Sequence, residues 1–139
     1  GCRIGFDAGG SDRKVSAVID GESVYSEEVV WYPKVTEDPT YHFNEIVTAF
    51  KTAASKMPRV DAIGVSSAGT FVGNSPMVAS LFIKVPRERR DEVKSIYKRA
   101  AAEIGQQLHE PCRAGIRHAG RQLVLRAGYK HQRPLFIEP

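Results

Sequence analysis

Short apolar runs bounded by glycine and polar residues open the chain, a pattern typical of β-strands. Three strands are predicted in this region, at residues 2–7, 14–20 and about 23–32. Asp20 and Gly21 separate the second strand from the third, and such a pair is a strong hairpin signal because both residue types tolerate positive φ. The first part of the chain is therefore expected to fold as a three-stranded meander.

Apolar residues recur at helical spacing in two later segments. The first helix should begin with Asp38 as its N-cap and Pro39 at its first helical position, and Pro58 closes it. The second helix should run from about Arg87 to Ile104, with Gly105 as its C-terminal cap. We expect the apolar faces of both helices to cover one side of a sheet. Those faces consist of Phe43, Ile46, Val47, Phe50, Ala54 and Met57 in the first helix, and of Val93, Ile96, Tyr97, Ala100, Ala101 and Ile104 in the second.

Between the helices, the sequence predicts a buried strand at 60–66, a loop at 67–76 and a further short strand at Leu81–Val85. This order of elements predicts an α/β fold with a mixed sheet, in which three antiparallel strands precede a parallel crossover. A doubly wound dinucleotide-binding fold is excluded because no helix follows the first glycine-rich turn. The phosphate loop in which a lysine opens a helix is absent as well.

Charge divides the chain into two parts. The 139 residues suffice for one domain with one core, and the net charge of +4 comes from the end of the chain. Residues 1–110 carry 14 Lys and Arg against 15 Asp and Glu, whereas residues 111–139 carry six against one. We therefore interpret 1–110 as the folded lobe and 111–139 as a basic tail, either an edge strand or disordered. Because Tyr129 and Phe136 form no stacking platform, nucleic acid is not an expected partner.

Cysteine and histidine usage excludes several kinds of site. Cys2 and Cys112 lie far apart without metal-ligand spacing, so a reducing cytoplasm is the expected location. No apolar run approaches the roughly 20 residues that span a bilayer, so no membrane partner is expected. Since the chain opens directly on a strand without Met, we expect a fragment of a longer protein. The histidines show no catalytic spacing and are expected at the surface; they are His42, His109, His118 and His131.

The candidate chemistry lies in residues 4–14. An apolar run ends in Asp7, and Gly9, Gly10 and Ser11 follow. Glycines remove side chains, so backbone N–H groups can approach an anion closely. A carboxylate beside a phosphate is repulsive unless a cation lies between them, which points to Mg²⁺ reached from Asp7 through water. The alternative is a plain β-turn in which the two glycines supply positive φ.

The segment Asp7-Ala-Gly-Gly-Ser11 before a hairpin is similar to the first phosphate motif, Asp-x-Gly-Gly-Thr/Ser, of the sugar kinase, Hsp70 and actin superfamily. Within it, the sequence most resembles the ROK family of sugar kinases and repressors, or the related N-acetylglucosamine kinases and BadF-type ATPases. Ile63–Gly69 resembles the glycine-rich strand-to-loop segment of ROK proteins, although their usual Pro-Gly-Pro is absent. The resemblance covers roughly residues 3–105.

The resemblance implies a two-lobed protein built on ribonuclease-H-like sheets, with ATP and Mg²⁺ in the cleft, and makes 1–110 an actin-like ATPase lobe. Gly9, Gly10 and Ser11 would then contact the terminal phosphates, and Asp7 would hold Mg²⁺ through water. Lys14 would add charge compensation. The implied reaction is phosphoryl transfer from ATP to a sugar hydroxyl, in which positioning and charge neutralisation do most of the work.

No catalytic residue is assigned. In ROK kinases a strand ending in Asn-Asp follows the second helix and supplies the base, but residues 111–139 contain neither Asn nor Asp. We therefore expect nucleotide binding without turnover by this chain alone. The alternative is a non-catalytic, sugar-sensing regulator of the same family or another interaction domain, and open sheet edges would allow a homodimer. Loop residues that could hydrogen-bond a substrate are Ser67, Gly69, Thr70 and Asn74.

Overall fold

A mixed sheet forms the centre of the molecule. The computed structural model describes residues 1–72, 75–109 and 135–136. The strands of this sheet follow the order β3-β2-β1-β4-β7, with β1 antiparallel to β2 and parallel to β4. The predicted α/β fold, with an antiparallel meander followed by a parallel crossover, is thus confirmed. The strands are β1 at Cys2–Ala8, β2 at Asp12–Ile19, β3 at Glu22–Val30, β4 at Ala62–Ser67 and β7 at Leu135–Phe136.

The turn between β2 and β3 is the predicted hairpin. Asp20 has φ 51° and Gly21 has φ 89°, so both central residues adopt the left-handed conformation that a two-residue hairpin requires. This geometry suits the twist of the flanking strands, and Asp and Gly are among the few residues that accept it. The local sequence therefore determines the turn.

Helix α1 spans Pro39–Ala54 and starts as predicted. The Asp38 carboxylate accepts a hydrogen bond from the backbone N–H of Thr40 at 2.9 Å, which satisfies one of the free donors of the first turn. Pro39 occupies the first turn, where its missing N–H costs nothing. The helix ends before Pro58 because proline cannot continue it.

The second helical segment differs from its prediction in two respects. It consists of a 3₁₀ turn at Arg87–Arg89, a short helix α2 at Arg90–Lys94 and a longer helix α3 at Ile96–His109. The break falls at Ser95, which has φ −98° and ψ 3°. The prediction that Gly105 caps the helix is wrong: Gly105 does not adopt positive φ, and the good helix formers after it extend α3 to His109.

The segment between α1 and α2 also departs from expectation. The predicted loop at 67–76 instead contains strands β5 at Thr70–Val72 and β6 at Ser75–Val78, which pair as a separate two-stranded sheet. The strand predicted at Leu81–Val85 is wrong, because Ser80–Phe82 forms a 3₁₀ turn. Leu81 and Phe82 are adjacent and both buried, which a strand with one buried face cannot achieve.

The core lies between one face of the sheet and the helices α1 and α3. Alternate residues of β1, including Ile4 and Phe6, point into it. The Phe6 ring packs edge-on against Phe50 of α1, with ring centroids 5.4 Å apart. The opposite face of the sheet lines an open groove of about 610 Å³. The two predicted apolar helix faces are confirmed as core, with Phe43 and Ala101 only partly buried at its edge. Met57 is buried as well, but it lies beyond the end of α1 and not in the helix as predicted.

His42 contradicts the expectation of a surface position, because its side chain is 0 % exposed. Its Nε2 lies 2.9 Å from the Pro33 carbonyl oxygen and 3.0 Å from that of Leu81. Both partners only accept, so Nε2 carries the hydrogen and donates to them. His42 precedes Ile46 by four residues, so it belongs to the buried stripe of α1. The structure gives no side-chain information for His109, and His118 and His131 lie outside the described residues.

The predicted basic tail, 111–139, lies outside the described residues except for β7. Leu135 and Phe136 pair antiparallel with Val65 and Gly64 of β4. Along the described part of the chain, no helix has the length and apolar character needed to cross a membrane.

Candidate functional site

The parallel pairing of β1 and β4 brings the predicted site residues to one edge of the sheet. Asp7 lies level with Ser66, and Ala8 lies level with Ser67. The segment Gly9–Ser11, hereafter the glycine turn, leaves β1 at the same edge and leads into β2. Ligands of open α/β sheets bind outside the carboxyl ends of parallel strands, which is where these residues lie.

The two glycines of the turn serve close packing, not backbone conformation. Among the described glycines, only Gly21 and Gly69 adopt positive φ, so the positive φ that the plain-turn alternative assigns to Gly9 and Gly10 is wrong, while the choice between a plain turn and a phosphate site stays a prediction. A Cβ on Gly9 would lie 2.5 Å from the backbone oxygen of Asp12, and a Cβ on Gly10 would lie 2.5 Å from Lys34 Cε. Both contacts are far closer than real Cβ atoms allow, so each glycine makes room for a neighbour.

Trp31 holds the glycine turn from one side. Its backbone N–H donates to the Ser11 carbonyl at 3.1 Å, and its indole Nε1 donates to the Gly9 carbonyl at 2.8 Å. The trans peptide plane then directs the N–H of Gly10 away from Trp31, because N–H and C=O of one peptide point in opposite directions. The carbonyls of Gly9 and Ser11 are thus engaged, and the Gly10 amide is directed to the other side.

Lys34 is a neighbour of the turn that no sequence pattern singles out. It belongs to a 3₁₀ turn at Pro33–Val35, directly after β3. Its side chain is exposed along part of its surface, yet its Nζ lies 2.6 Å from the point that a Gly10 Cβ would occupy. This contact depends on the path of the chain after β3, so no local spacing could have revealed it.

Lys14 lies directly opposite Asp7 in the sheet register. Its side chain is 51 % exposed, and its Nζ lies 4.0 Å from Asp12 Oδ1 and 3.9 Å from Glu28 Oε1. A hydrogen bond between the two carboxyl groups raises the pKa of Glu28, and the positive charge of Lys14 opposes that rise. The ammonium of Lys14 is therefore shared between two carboxylates, and its predicted contact with phosphate stays a prediction.

Tyr97 adds a hydroxyl group beside Asp7 and Ser67. Its Oη donates to Ser67 Oγ at 3.3 Å from a fully buried position on α3. Burial raises the pKa of Tyr97 to about 12; the Ser67 hydrogen bond opposes the rise, and the negative charge of Asp7 adds to it. The phenol therefore stays protonated at neutral pH and can donate a hydrogen bond. The sequence predicts Tyr97 as core, and an apolar helix face gives no sign that a hydroxyl at its edge reaches the site.

The residues of the predicted substrate loop lie in different places in the structure. Ser67 lies at the site edge beside Tyr97. Gly69 has φ 137°, and its Cβ would lie 2.4 Å from the Val78 carbonyl oxygen, so it allows the close approach of the loop before β5 to the end of β6. Thr70 opens β5 and is exposed, whereas Asn74 lies outside the described residues. A substrate contact by these residues stays a prediction.

The donor atoms around Asp7 fit a magnesium ion held mainly by water and phosphate. Within the described residues, no cluster of three or more His, Cys, Asp or Glu side chains could hold a metal. Mg²⁺ keeps several of its waters and commonly binds through one or two carboxylates plus substrate phosphates. A single half-buried carboxylate beside a glycine turn is compatible with that mode, and not with a protein cage built for a metal alone.

No protein-family profile and no curated protein matches this chain. A solved structure of a candidate sugar kinase from Cytophaga hutchinsonii matches 68% of it at 16% sequence identity, with a TM-score of 0.50. The Lmo2764 protein of Listeria monocytogenes, a candidate N-acetylmannosamine kinase, matches 76% of it at 20% identity, with a TM-score of 0.49. The chain spans about a third of each, 32% and 33%. The Cytophaga structure shows that this fold recurs within a protein described as a sugar kinase.

Proposed function

We propose that this chain is the nucleotide-phosphate-binding lobe of an ATP-dependent sugar kinase of the ROK type, built on a ribonuclease-H-like sheet as in actin-like ATPases. The observation that carries the proposal is the position of Asp7 and the glycine turn at the carboxyl ends of the parallel strands β1 and β4, where ligands of open α/β sheets bind. The shared fold with part of a sugar-kinase structure supports it.

In this proposal, the backbone amides of Gly9–Ser11 and the Ser11 hydroxyl bind the terminal phosphates of ATP. Trp31 fixes the turn before the ligand arrives, so little further ordering is needed on binding. Asp7 would hold Mg²⁺ through a bound water. When bound, Mg²⁺ would neutralise the phosphate charge and thereby remove the repulsion between the phosphate and Asp7.

The remaining parts of the reaction belong to the whole protein. Ser67 and Thr70 would hydrogen-bond the sugar, and the group that accepts the proton of the sugar hydroxyl is not assigned to any residue of this chain. Since the chain spans about a third of the structures that it resembles, we expect it to bind nucleotide without consuming it. We also place this reaction in the cytoplasm, the reducing compartment that the spacing of Cys2 and Cys112 predicts.

Isothermal titration with Mg-ATP tests the proposal. The unaltered chain should bind Mg-ATP saturably, and EDTA should weaken the binding. Asp7→Asn keeps the size of the side chain but removes its charge, and it should raise the Kd about tenfold, since a hydrogen bond to a charged group contributes about 1.5–3 kcal/mol. Asp91→Asn is the matched control, because Asp91 is highly exposed on α2. Equal affinity of the Asp7 variant and the unaltered chain would contradict the proposal.

A further inference from the structure

Three cationic side chains lie near the glycine turn, and only one of them is available to an anion. Arg13 is buried on the helix-covered face, where its Nε donates to Glu45 Oε2 at 2.7 Å. Lys14 shares its ammonium with the carboxylates of Asp12 and Glu28. Within the described residues, no carboxylate lies within ion-pair distance of Lys34. Among the described side chains, therefore, no carboxylate neutralises its positive charge.

The side chain of Lys34 lies over the glycine turn itself. Its Cε and Nζ lie 2.5 and 2.6 Å from the point where a Cβ of Gly10 would stand, so the lysine fills the space that the glycine leaves. A residue with a side chain at position 10 would displace the ammonium group. The absence of a side chain at Gly10 thus permits this position of Lys34.

Hydrogen bonds fix the backbone that carries Lys34. On one side, Trp31 binds the carbonyls of Gly9 and Ser11. On the other side, the Tyr32 N–H donates to Tyr41 Oη at 2.9 Å, and His42 Nε2 donates to the Pro33 carbonyl. The backbone that presents the lysine is therefore anchored both to the glycine turn and to α1. Only the lysine side chain itself must be ordered when an anion binds.

We propose that Lys34 supplies the cationic contact to the terminal phosphate at the glycine turn, in place of Lys14. This inference rests on the proposed function, because it assigns a further residue to the same site. An ammonium group offers three donors, and phosphate oxygens accept them without the planar geometry that a guanidinium imposes. The contact would complement the amides of the turn, which reach the same phosphate from the backbone.

The tryptophan of the site provides the measurement. The sequence contains one Trp, and Trp31 is 1 % exposed with its indole bonded to the Gly9 carbonyl, so its fluorescence reports on the turn. Mg-ATP and inorganic pyrophosphate with Mg²⁺ would be titrated into the unaltered chain and into Lys34→Met, Lys14→Met and Lys98→Met. Methionine keeps an unbranched side chain over Gly10 and removes only the charge. Lys98 is exposed on α3, so its variant controls for the loss of one positive charge.

Lys34→Met should raise the Kd for both probes about tenfold or more, while Lys14→Met and Lys98→Met change it less than about threefold. The thermal midpoints of all variants should agree with that of the unaltered chain, which separates lost binding from lost folding. If the Lys34 and Lys98 variants lose affinity equally, or if neither does while Asp7→Asn still weakens binding, the assignment of Lys34 is overturned and the proposed function stands. Absence of saturable binding by the unaltered chain would overturn both.

Discussion

Two turns connect the first three strands, Gly9–Ser11 between β1 and β2 and Asp20-Gly21 between β2 and β3. In the second turn, positive φ at both residues explains the glycine, and apart from its chain neighbours no described residue has an atom within 4 Å of the position of a Gly21 Cβ. In the first turn, the backbone needs no positive φ, and neighbouring atoms occupy the space that side chains would take. Glycine is thus required for its backbone conformation in the Asp20-Gly21 turn, and for its lack of a side chain in the glycine turn.

This difference bears on function. A glycine that is needed only for backbone conformation says nothing about a ligand, because any hairpin of that type requires it. A glycine that is needed for space indicates that other groups approach the backbone at that point, and here those groups are Asp12 and Lys34 of the same chain. Adjacent glycines in the sequence do not distinguish the two cases, and the structure does. Three substitutions test the comparison, from the largest expected effect on stability to the smallest.

Gly9→Ala should destabilise the fold most. Its Cβ would lie 2.5 Å from the Asp12 backbone oxygen, so the backbone at the start of β2 must move. Overpacking of this kind costs about 1–3 kcal/mol, and we expect the upper part of that range because the obstacle is backbone. Urea unfolding followed by Trp31 fluorescence measures the loss, and Mg-ATP binding should fall with it. Gly105→Ala is the control: no atom of another described element lies within 4 Å of the position of its Cβ, and alanine should stabilise α3 by about 0.5–1 kcal/mol. An unchanged unfolding midpoint for Gly9→Ala would contradict the steric account.

Gly21→Ala should have an intermediate effect on stability and none on binding. Alanine at φ 89° is strained whatever the surrounding space, and the left-handed conformation costs a residue with a Cβ about 1–2 kcal/mol. Because this turn is separate from the glycine turn, the Kd for Mg-ATP should equal that of the unaltered chain. Urea unfolding and calorimetric titration of the same preparation measure both quantities. A rise in Kd would show that the two turns are not independent.

Gly10→Ala should affect stability least and binding clearly. The new Cβ meets only the end of the flexible Lys34 side chain, so the free energy of unfolding should change by no more than about 0.5 kcal/mol. Displacement of Lys34 should raise the Kd for Mg-ATP as much as Lys34→Met does. Calorimetric titration of the double variant Gly10→Ala/Lys34→Met should show no further loss, since both substitutions remove one interaction. Additive losses would mean that Gly10 and Lys34 act separately.

The local sequence accounts for the parts of the fold that depend on neighbouring residues. The first three strands, the Asp20-Gly21 hairpin and the capped start of α1 follow from short-range patterns, and their order predicts the mixed sheet. The errors concern features that tertiary packing decides. Leu81 and Phe82 are adjacent and both buried, and they form a 3₁₀ turn where a strand was predicted. His42 is buried, and its Nε2 donates hydrogen bonds to two backbone carbonyls there.

The candidate site divides in the same way. Asp7 and the glycine turn carry a recognisable motif, and their place at the carboxyl end of β1 follows from the strand order. Lys34 carries no motif, because its position depends on how the chain after β3 packs onto α1 and the glycine turn. The contact of the Tyr97 hydroxyl cannot be predicted from the sequence either, because an apolar helix face has the same sequence pattern whether the tyrosine oxygen faces solvent or Ser67.

The parallel pairing of β1 with β4 has a consequence for the order in which the molecule assembles. The glycine turn joins neighbouring strands and can form with its hairpin within microseconds, whereas Ser67 lies roughly 60 residues beyond Asp7 and must wait for the intervening crossover to close. One half of the candidate site is therefore a local structure, and the other half exists only in the fully folded chain. A ligand that contacted both halves would gain its contact with Ser67 only late in folding. It would therefore slow unfolding of the chain more than it would speed folding.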